Sequence, residues 1–215
     1  LNEHQLKSAP GLLVVVSAPS GAGKTSVCRR VMELFPDIHF SVSVTTREPR
    51  PGEKEGRDYH FVSVEEFRTM IARDEFIEWV ENYGNFYGTS KKTMDISLGR
   101  GYDLLLDIEP RGAKEIRKHY PRGVFVFILP PSIAELRKRL AKRGEGEEAL
   151  KRRLKASLSE IKEAMWYDYI VVNEKLKDAV ERFRAIYLAE KSRRDRCTNE
   201  IDSFLKQQFS QEDGG

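Results

Sequence analysis

Leu12-Leu13-Val14-Val15-Val16-Ser17-Ala18-Pro19-Ser20-Gly21-Ala22-Gly23-Lys24-Thr25-Ser26 is the stretch from which the fold follows. Its apolar run, Leu12 to Val16, reads as a strand buried on both faces, as in a parallel sheet. A short loop with Gly21 and Gly23 follows, and Lys24-Thr25-Ser26 opens a segment with Val27, Val31 and Leu34 at helical spacing. Strand, glycine loop and helix start are the parts of a phosphate cradle, in which backbone N–H groups point at the anion and the helix dipole favours it. Lys24 is placed to reach terminal phosphates, and the Thr25 hydroxyl to bind Mg²⁺. The general pattern has glycine six residues before the lysine, where this chain has Ala18. A plain glycine-rich turn is the simpler reading. It leaves unexplained why a cation stands at a helix start, where it works against the dipole.

Working outward, 215 residues accommodate one α/β domain with insertions. The net charge is only +3 with basic residues spread along the chain, so charge gives no reason to expect nucleic acid. Cys28 and Cys197 match no metal spacing and read as reduced thiols of a cytoplasmic protein. No apolar run approaches 18 residues, which argues against a membrane span. Leu1 to Pro10 carries charge without an apolar core and reads as a loose tail, not a secretory signal.

Beyond the first helix, which Phe35-Pro36-Asp37 ends, Ile38 to Val44 alternates apolar and polar and reads as one strand. Thr45 to Glu53 is a basic turn with two prolines and a glycine. Tyr59 to Val62 is a short strand; Ser63 and Glu66 form a capping-box signature ahead of a helix with Phe67, Met70 and Ile71 on one face. Phe76 to Val80 is a further short apolar run, and Asn82 to Thr89 is turn-rich and aromatic. The stretch to about Thr89 thus reads as a small mixed α/β insertion. Buried strands then resume at Asp103–Ile108, Val124–Leu129 and Tyr169–Val172. Between the last two, one helix begins near Ser132 with Ile133, Leu136 and Leu140 inward, and another spans about Glu147 to Met165, separated by a charged break at Gly144 and Gly146. Two helical segments close the chain, and Gln211 to Gly215 reads as a frayed end. Strands alternating with helices predict a parallel sheet with helices on both faces.

In such a sheet ligands collect at the carboxyl ends of the strands, where the glycine loop, Ser43, Asp107, Glu109 and Asn173 all fall. Asp107 is placed to hold Mg²⁺ directly or through water; the plainer alternative is a cap for the next helix. Arg47 and Arg50 flank the rigid turn, while Arg139, Arg143 and Arg153 flank the glycine break. Arginine forks bind phosphate oxygens, and arginines on a glycine-hinged segment suit a closing lid.

Several of these segments together resemble the guanylate kinases, nucleoside monophosphate kinases of the P-loop fold. The likeness covers about Leu12 to Arg194. It rests on Ser17-Ala-Pro-Ser-Gly-Ala-Gly-Lys24, Ser43-Val-Thr-Thr-Arg-Glu-Pro-Arg-Pro-Gly-Glu53, Gly84-Asn-Phe-Tyr-Gly-Thr89, Leu106-Asp-Ile-Glu109, Ile128-Leu-Pro-Pro-Ser132 and Ile170-Val-Val-Asn173. It implies Mg²⁺-dependent phosphoryl transfer from ATP to GMP, with dGMP as a second acceptor, and neither nucleic acid nor membrane as partner. It divides the chain into a core (11–41, 90–134 and 156–210), a GMP-binding insertion (42–89) and a helical lid (135–155), with tails at 1–10 and 211–215. By position, ATP contacts fall on Ser20, Gly21, Ala22, Gly23, Lys24, Thr25 and Ser26, with Asn173 at the adenine. GMP contacts fall on Ser43, Arg47, Arg50, Glu53, Tyr59, Glu78, Tyr87, Thr89, Asp107 and Glu109. Lys24, Arg50, Arg139, Arg143 and Arg153 would act on the transferred group, and Thr25 and Asp107 on the metal. Two positions depart from the family pattern: Glu109 replaces a usual Asp, and Arg111 a usual Gln. A guanylate-kinase-like scaffold domain, which binds peptides, and a kinase for another nucleotide are the alternatives. The intact glycine loop with its lid arginines argues against the first, and Glu78 against the second.

The chemistry is consistent with these residues on its own terms. A monophosphate is largely dianionic near neutral pH, its second pKa being about 6, so no histidine base is required. Two unit charges 4 Å apart repel by about 4 kcal/mol at an effective dielectric near 20. Lysine, arginines and Mg²⁺ must offset several such repulsions. Glu78 can accept both N–H donors of guanine but repels the N1 lone pair of adenine, and Ser43 and Thr89 can donate to O6.

Overall fold

The computed structural model describes residues 10–82, 84–142, 146–198 and 201–205. In chain order the core opens with β1 (Leu13–Ser17), α1 (Lys24–Leu34) and β2 (Ile38–Phe40). The insertion holds β3 (Val44–Thr45), β4 (His60–Phe61), α2 (Val64–Ala72), β5 (Phe76–Asn82) and β6 (Asn85–Ser90). The core resumes with α3 (Lys91–Gly99), β7 (Asp103–Asp107), α4 (Pro110–His119), β8 (Val124–Leu129), α5 (Ile133–Ala141) and α6 (Glu147–Lys162). A 3₁₀ turn (Glu163–Trp166), β9 (Tyr169–Val172) and α7 (Leu176–Lys191) follow.

The main sheet is parallel throughout, in the order β2-β7-β1-β8-β9. Strand β1 lies at its centre, which is why its residues are apolar without alternation. Leu12, Val14 and Val16 pack with Val27 and Val31 of α1 and Phe183 of α7 on one face. Leu13 and Val15 pack with Met94 of α3, Ile116 of α4 and Tyr167 on the other. The chain passes from β7 to β8 across β1, so a crevice opens at the carboxyl ends of these strands.

The second sheet has the order β4-β3-β6-β5, with β3 parallel to β4 and the other pairs antiparallel. Its small core is Val44, Phe67 and Phe76, with Met70, Ile71 and Phe86 packed beside them. The Ser63 hydroxyl accepts the Glu66 N–H at 3.1 Å, so the cap expected from sequence starts α2.

Four local expectations are corrected. Ile38 to Val44 is not one strand: the Ser41 N–H still bonds Leu105 of the main sheet, but Val44 pairs with His60 and Gly88 in the second. Alternation reports which face a side chain takes, not which ladder the backbone joins. Asn82 to Thr89 is mostly strand: β5 and β6 form a hairpin with Asn82 opposite Asn85. The glycine signal marks only the tip, where Gly84 has φ 76°. Ile133 is 57% exposed, while Leu136 and Leu140 are buried. At the first helical position a side chain leans toward the amino terminus, away from the packed turns. Strand β9 is buried only at Val171, with Ile170 44% exposed, because it is the sheet's edge. Helix α3 was not expected from sequence; the Ser90 hydroxyl accepts the Thr93 N–H at its start, and Met94 and Leu98, four apart, are its buried stripe. Cys28 is buried and both cysteines are free thiols. The tail expected at 211–215, all but Pro10 of that at 1–10, and Arg143 with Gly144 lie outside the described residues.

Candidate active site

The glycine loop leaves β1 at Ser17 and enters α1 at Lys24. Its two glycines are conformational requirements: Gly21 has φ 86° and Gly23 φ 90°, in the left-handed region that other residues avoid. The loop turns on itself through Ala22 N–H to Pro19 C=O, 3.1 Å, and runs directly into the start of α1, where helix N–H groups favour an anion. Lys24 crosses to β7, where its ammonium pairs with the Asp107 carboxylate and donates to the Ile108 carbonyl at 3.1 Å. This is possible because Val16 and Asp107 are register partners, so the two strands end side by side.

The other wall of the loop is built by the last third of the chain. Asn173 is buried, and its amide donates to the Ala22 carbonyl at 2.7 Å. Arg139 donates to the same carbonyl at 3.3 Å and to the Asn173 carbonyl at 3.1 Å, while Glu135 holds its Nε at 3.0 Å. Leu136 and Leu140 of α5 close over Gly21, where a Cβ would lie 3.1 to 3.2 Å from them. Arg153 donates to the Ser20 hydroxyl at 3.2 Å. Thr25 and Ser26 are exposed at the start of α1.

Lys24 also lines a cavity of about 280 Å³. Its lining combines Lys24, Asp107 and Glu109 of the core with Ser43, Tyr59, Glu78 and Tyr87 of the insertion. Glu78 is the chemically distinctive group. Burial raises its carboxyl above the ordinary carboxylate range; the Thr89 hydroxyl, donating to Oε1 at 2.6 Å, works the other way, and the Glu109 charge adds to the rise. Thr89 is itself buried, 1% exposed, so its proton has little choice of partner. Glu109 stands at the N-cap position of α4 without capping the helix through its side chain.

Beside the cavity, Arg47 Nη2 donates to both oxygens of Glu53 at 2.9 and 2.8 Å, and the Arg50 N–H donates to Glu53 at 2.9 Å. The Arg50 N–H first, and Arg47 second, hold the Glu53 carboxyl below its usual range. The Arg47 guanidinium lies 5.3 Å from the Tyr59 ring centre, and Tyr59 meets Tyr87 edge-on at 6.1 Å. Burial raises the Tyr59 hydroxyl, and Tyr87 adds to it. Arg50 is exposed and enters this arrangement through its backbone.

Most positions singled out from sequence therefore converge, in two clusters joined by Lys24 and Asp107. Glu53 and Asn173 do so as supports, one for Arg47 and one for the loop. Sequence reasoning passed over Gly112, Ser157 and Glu160. Gly112 lies under Glu78, where a Cβ would stand 2.8 Å from Oε2. Ser157 and Glu160 reach Ser20 from α6. Their spacing from Arg153 along that helix was the available signal.

Comparison with known proteins gives a consistent picture. The guanylate kinase family model matches residues 11–190. The guanylate kinase of Syntrophus aciditrophicus is 52% identical over 199 residues, covering 93% of this chain and 96% of its own length. That of Geobacter sulfurreducens is 48% identical, covering 91% and 97%. The crystal structure of guanylate kinase from Anaplasma phagocytophilum superposes with a TM-score of 0.71 at 36% identity, over 88% of this chain and 90% of that one.

Proposed function

Since the chain belongs to the guanylate kinase family and phosphorylates GMP to GDP at the expense of ATP, we propose that its two clusters divide the reaction between donor and acceptor. The stretch from Ser20 to Ser26 forms the ATP phosphate site, with the backbone N–H groups after Ser20 directed to the phosphates, and Lys24 meets the transferred group. The observation that carries this reading is that Lys24 of the glycine loop and Glu78 of the insertion line one and the same cavity.

Glu78 receives the two guanine N–H donors as a carboxylate. Thr89 acts on the base through Glu78, because its proton is already donated there; Ser43 is left as the donor for O6. Tyr59, Tyr87, Arg47 and Arg50 take the GMP phosphate, with Glu53 orienting Arg47. None of these contacts goes to the sugar, which favours dGMP as an acceptor too. Residues 42–89 act as the acceptor unit and 135–155 as the lid over the core. Asn173, fixed to Ala22, forms the floor beside the adenine. Arg139, Arg143 and Arg153 are the lid cations, whose contacts strengthen as water is excluded.

The donor set fits Mg²⁺: Thr25 and Asp107 line one cavity of about 440 Å³, and a hydroxyl and a carboxylate are hard oxygen donors. When bound, the ion would neutralise phosphate charge and help orient the polyphosphate. Lys24 and the arginines place fixed positive charge where the transferred phosphoryl group accumulates negative charge. No side chain needs to act as a base on an acceptor that is already dianionic. Among the described residues, no helix is long and apolar enough to cross a membrane.

A coupled assay offering GMP, dGMP, AMP, CMP and UMP with Mg·ATP tests the acceptor assignment. GMP and dGMP should turn over and the others should not; comparable turnover of AMP would overturn the role given to Glu78.

A further inference from the structure

Helix α6 presents Arg153, Ser157 and Glu160 at positions i, i+4 and i+7, one face of a helix. All three end on one residue of the glycine loop. Glu160 accepts the Ser20 N–H at 3.2 Å, Ser157 donates its hydroxyl to the Ser20 carbonyl at 3.3 Å, and Arg153 donates to the Ser20 hydroxyl at 3.2 Å. Every polar group of Ser20 is thus held by the same helix, across more than 130 residues of chain. Ser157 has no exposed surface, so its hydroxyl depends on a protein partner, and that partner is the loop. Glu160 is partly buried, and a carboxylate on this N–H puts a protein anion at the mouth of a loop whose next N–H groups are meant for phosphate.

The orientation of the Ser20 peptide decides where the following N–H groups, from Gly21 to Lys24, point. Ser20 lies beyond the end of β1, and among the described residues its hydrogen bonds all go to side chains of α6. We propose that Ser20 is the joint through which α6 shapes the phosphate loop, with Glu160 and Ser157 as positioning residues for the ATP half of the reaction. The inference rests on the reading of the loop as the ATP site. Because α6 also carries Arg153, any displacement of this helix moves the loop and a lid arginine together, and donor binding and lid position become one event.

Steady-state kinetics with both substrates varied, on Glu160→Ala, Glu160→Gln and Ser157→Ala, test this. Glu160→Ala should raise the KM for ATP about tenfold and leave that for GMP within about twofold, the signature of lost binding on one side only. Glu160→Gln should recover most of the loss, because its amide oxygen still accepts the Ser20 N–H. Ser157→Ala should raise the ATP KM by about threefold and, combined with Glu160→Ala, add less than its separate effect, since both hold one peptide. An unchanged ATP KM in Glu160→Ala, or ATP and GMP constants rising in step with a lower melting temperature, would overturn the proposal. So would a glutamine variant as impaired as the alanine. If Glu160→Ala does not fold, Ser157→Ala carries the same comparison. Lys24→Ala run alongside separates the two layers: an inactive Lys24→Ala with a normal Glu160→Ala removes the joint alone, and an active Lys24→Ala removes the ATP reading beneath it.

Discussion

In the proposed assignment, the donor and acceptor halves of the crevice recognise their ligands by opposite means. The donor half is backbone: one continuous loop between a central buried strand and its helix, with Gly21 and Gly23 in left-handed conformations. The acceptor half is side chain: Glu78 comes from β5, Tyr87 and Thr89 from β6, Ser43 and Tyr59 from the residues just before β3 and β4, and Glu109 from the core. A phosphate needs many convergent N–H groups, which consecutive residues can supply. A purine needs a particular pattern of donors and acceptors, which only side chains of chosen identity provide. The supports differ accordingly. The donor loop is packed by Leu136 and Leu140 and tied by Asn173, Arg139 and α6. The acceptor side rests on the three-residue core of Val44, Phe67 and Phe76.

The comparison is broken most severely at Lys24, which belongs to the glycine loop and also lines the acceptor cavity. Lys24→Ala should lower turnover by about 10⁴ while the melting temperature stays near that of the parent, in the range of a lost phosphoryl-group cation. Steady-state assay and calorimetric melting check it, and near-normal turnover would undo the donor assignment. Glu78→Leu should sharpen the contrast by damaging one half only. GMP affinity should fall by about 10³, within the range for a site whose polar groups are left unpaired, with ATP affinity unchanged. Calorimetric titration with each nucleotide separates the two.

The smallest effect follows from the burial of Glu78. Its carboxyl sits above the ordinary range when folded, so the folded chain binds this proton more tightly than the unfolded chain does. The stability linked to it is full below the unfolded value and is lost as pH rises through the folded one. At neutral pH the charged group therefore weakens the fold. Glu78→Gln should raise the melting temperature by about 2 °C near pH 7.5, with the gain vanishing near pH 4, even as GMP binding is impaired. In the parent protein the same titration should raise the GMP KM as pH falls through the raised value, with the ATP KM flat.

Legibility followed the same division. The strand, glycine loop and helix start could be read from Leu12 to Ser26 because all their requirements are local: an apolar run, two glycines and a cation at a helix start. Strand β8 and the start of α2 were read as found, from an apolar run and a cap. The insertion was harder. Ile38 to Val44 concealed a change of sheet, and Asn82 to Thr89 a hairpin, since neither a change of ladder partner nor the pairing of two short strands leaves a periodic mark. Glu78 was named from resemblance, but the Thr89 hydroxyl on it and Gly112 beneath it were invisible, one being 11 residues away and the other a glycine in a helix.

What the sequence determined by itself was the parallel core, the glycine loop between its first strand and helix and, through its resemblance to a family, the reaction. These depend on patterns within a dozen residues, where covalent neighbours fix the geometry. Only the tertiary structure decided that Asn173 and Arg139 brace the loop, that Glu53 serves Arg47, and that three residues of α6 converge on Ser20. Each of these is a hydrogen bond whose partner is chosen by folding. A donor or acceptor in a sequence states only that it must be satisfied, and packing then determines by what.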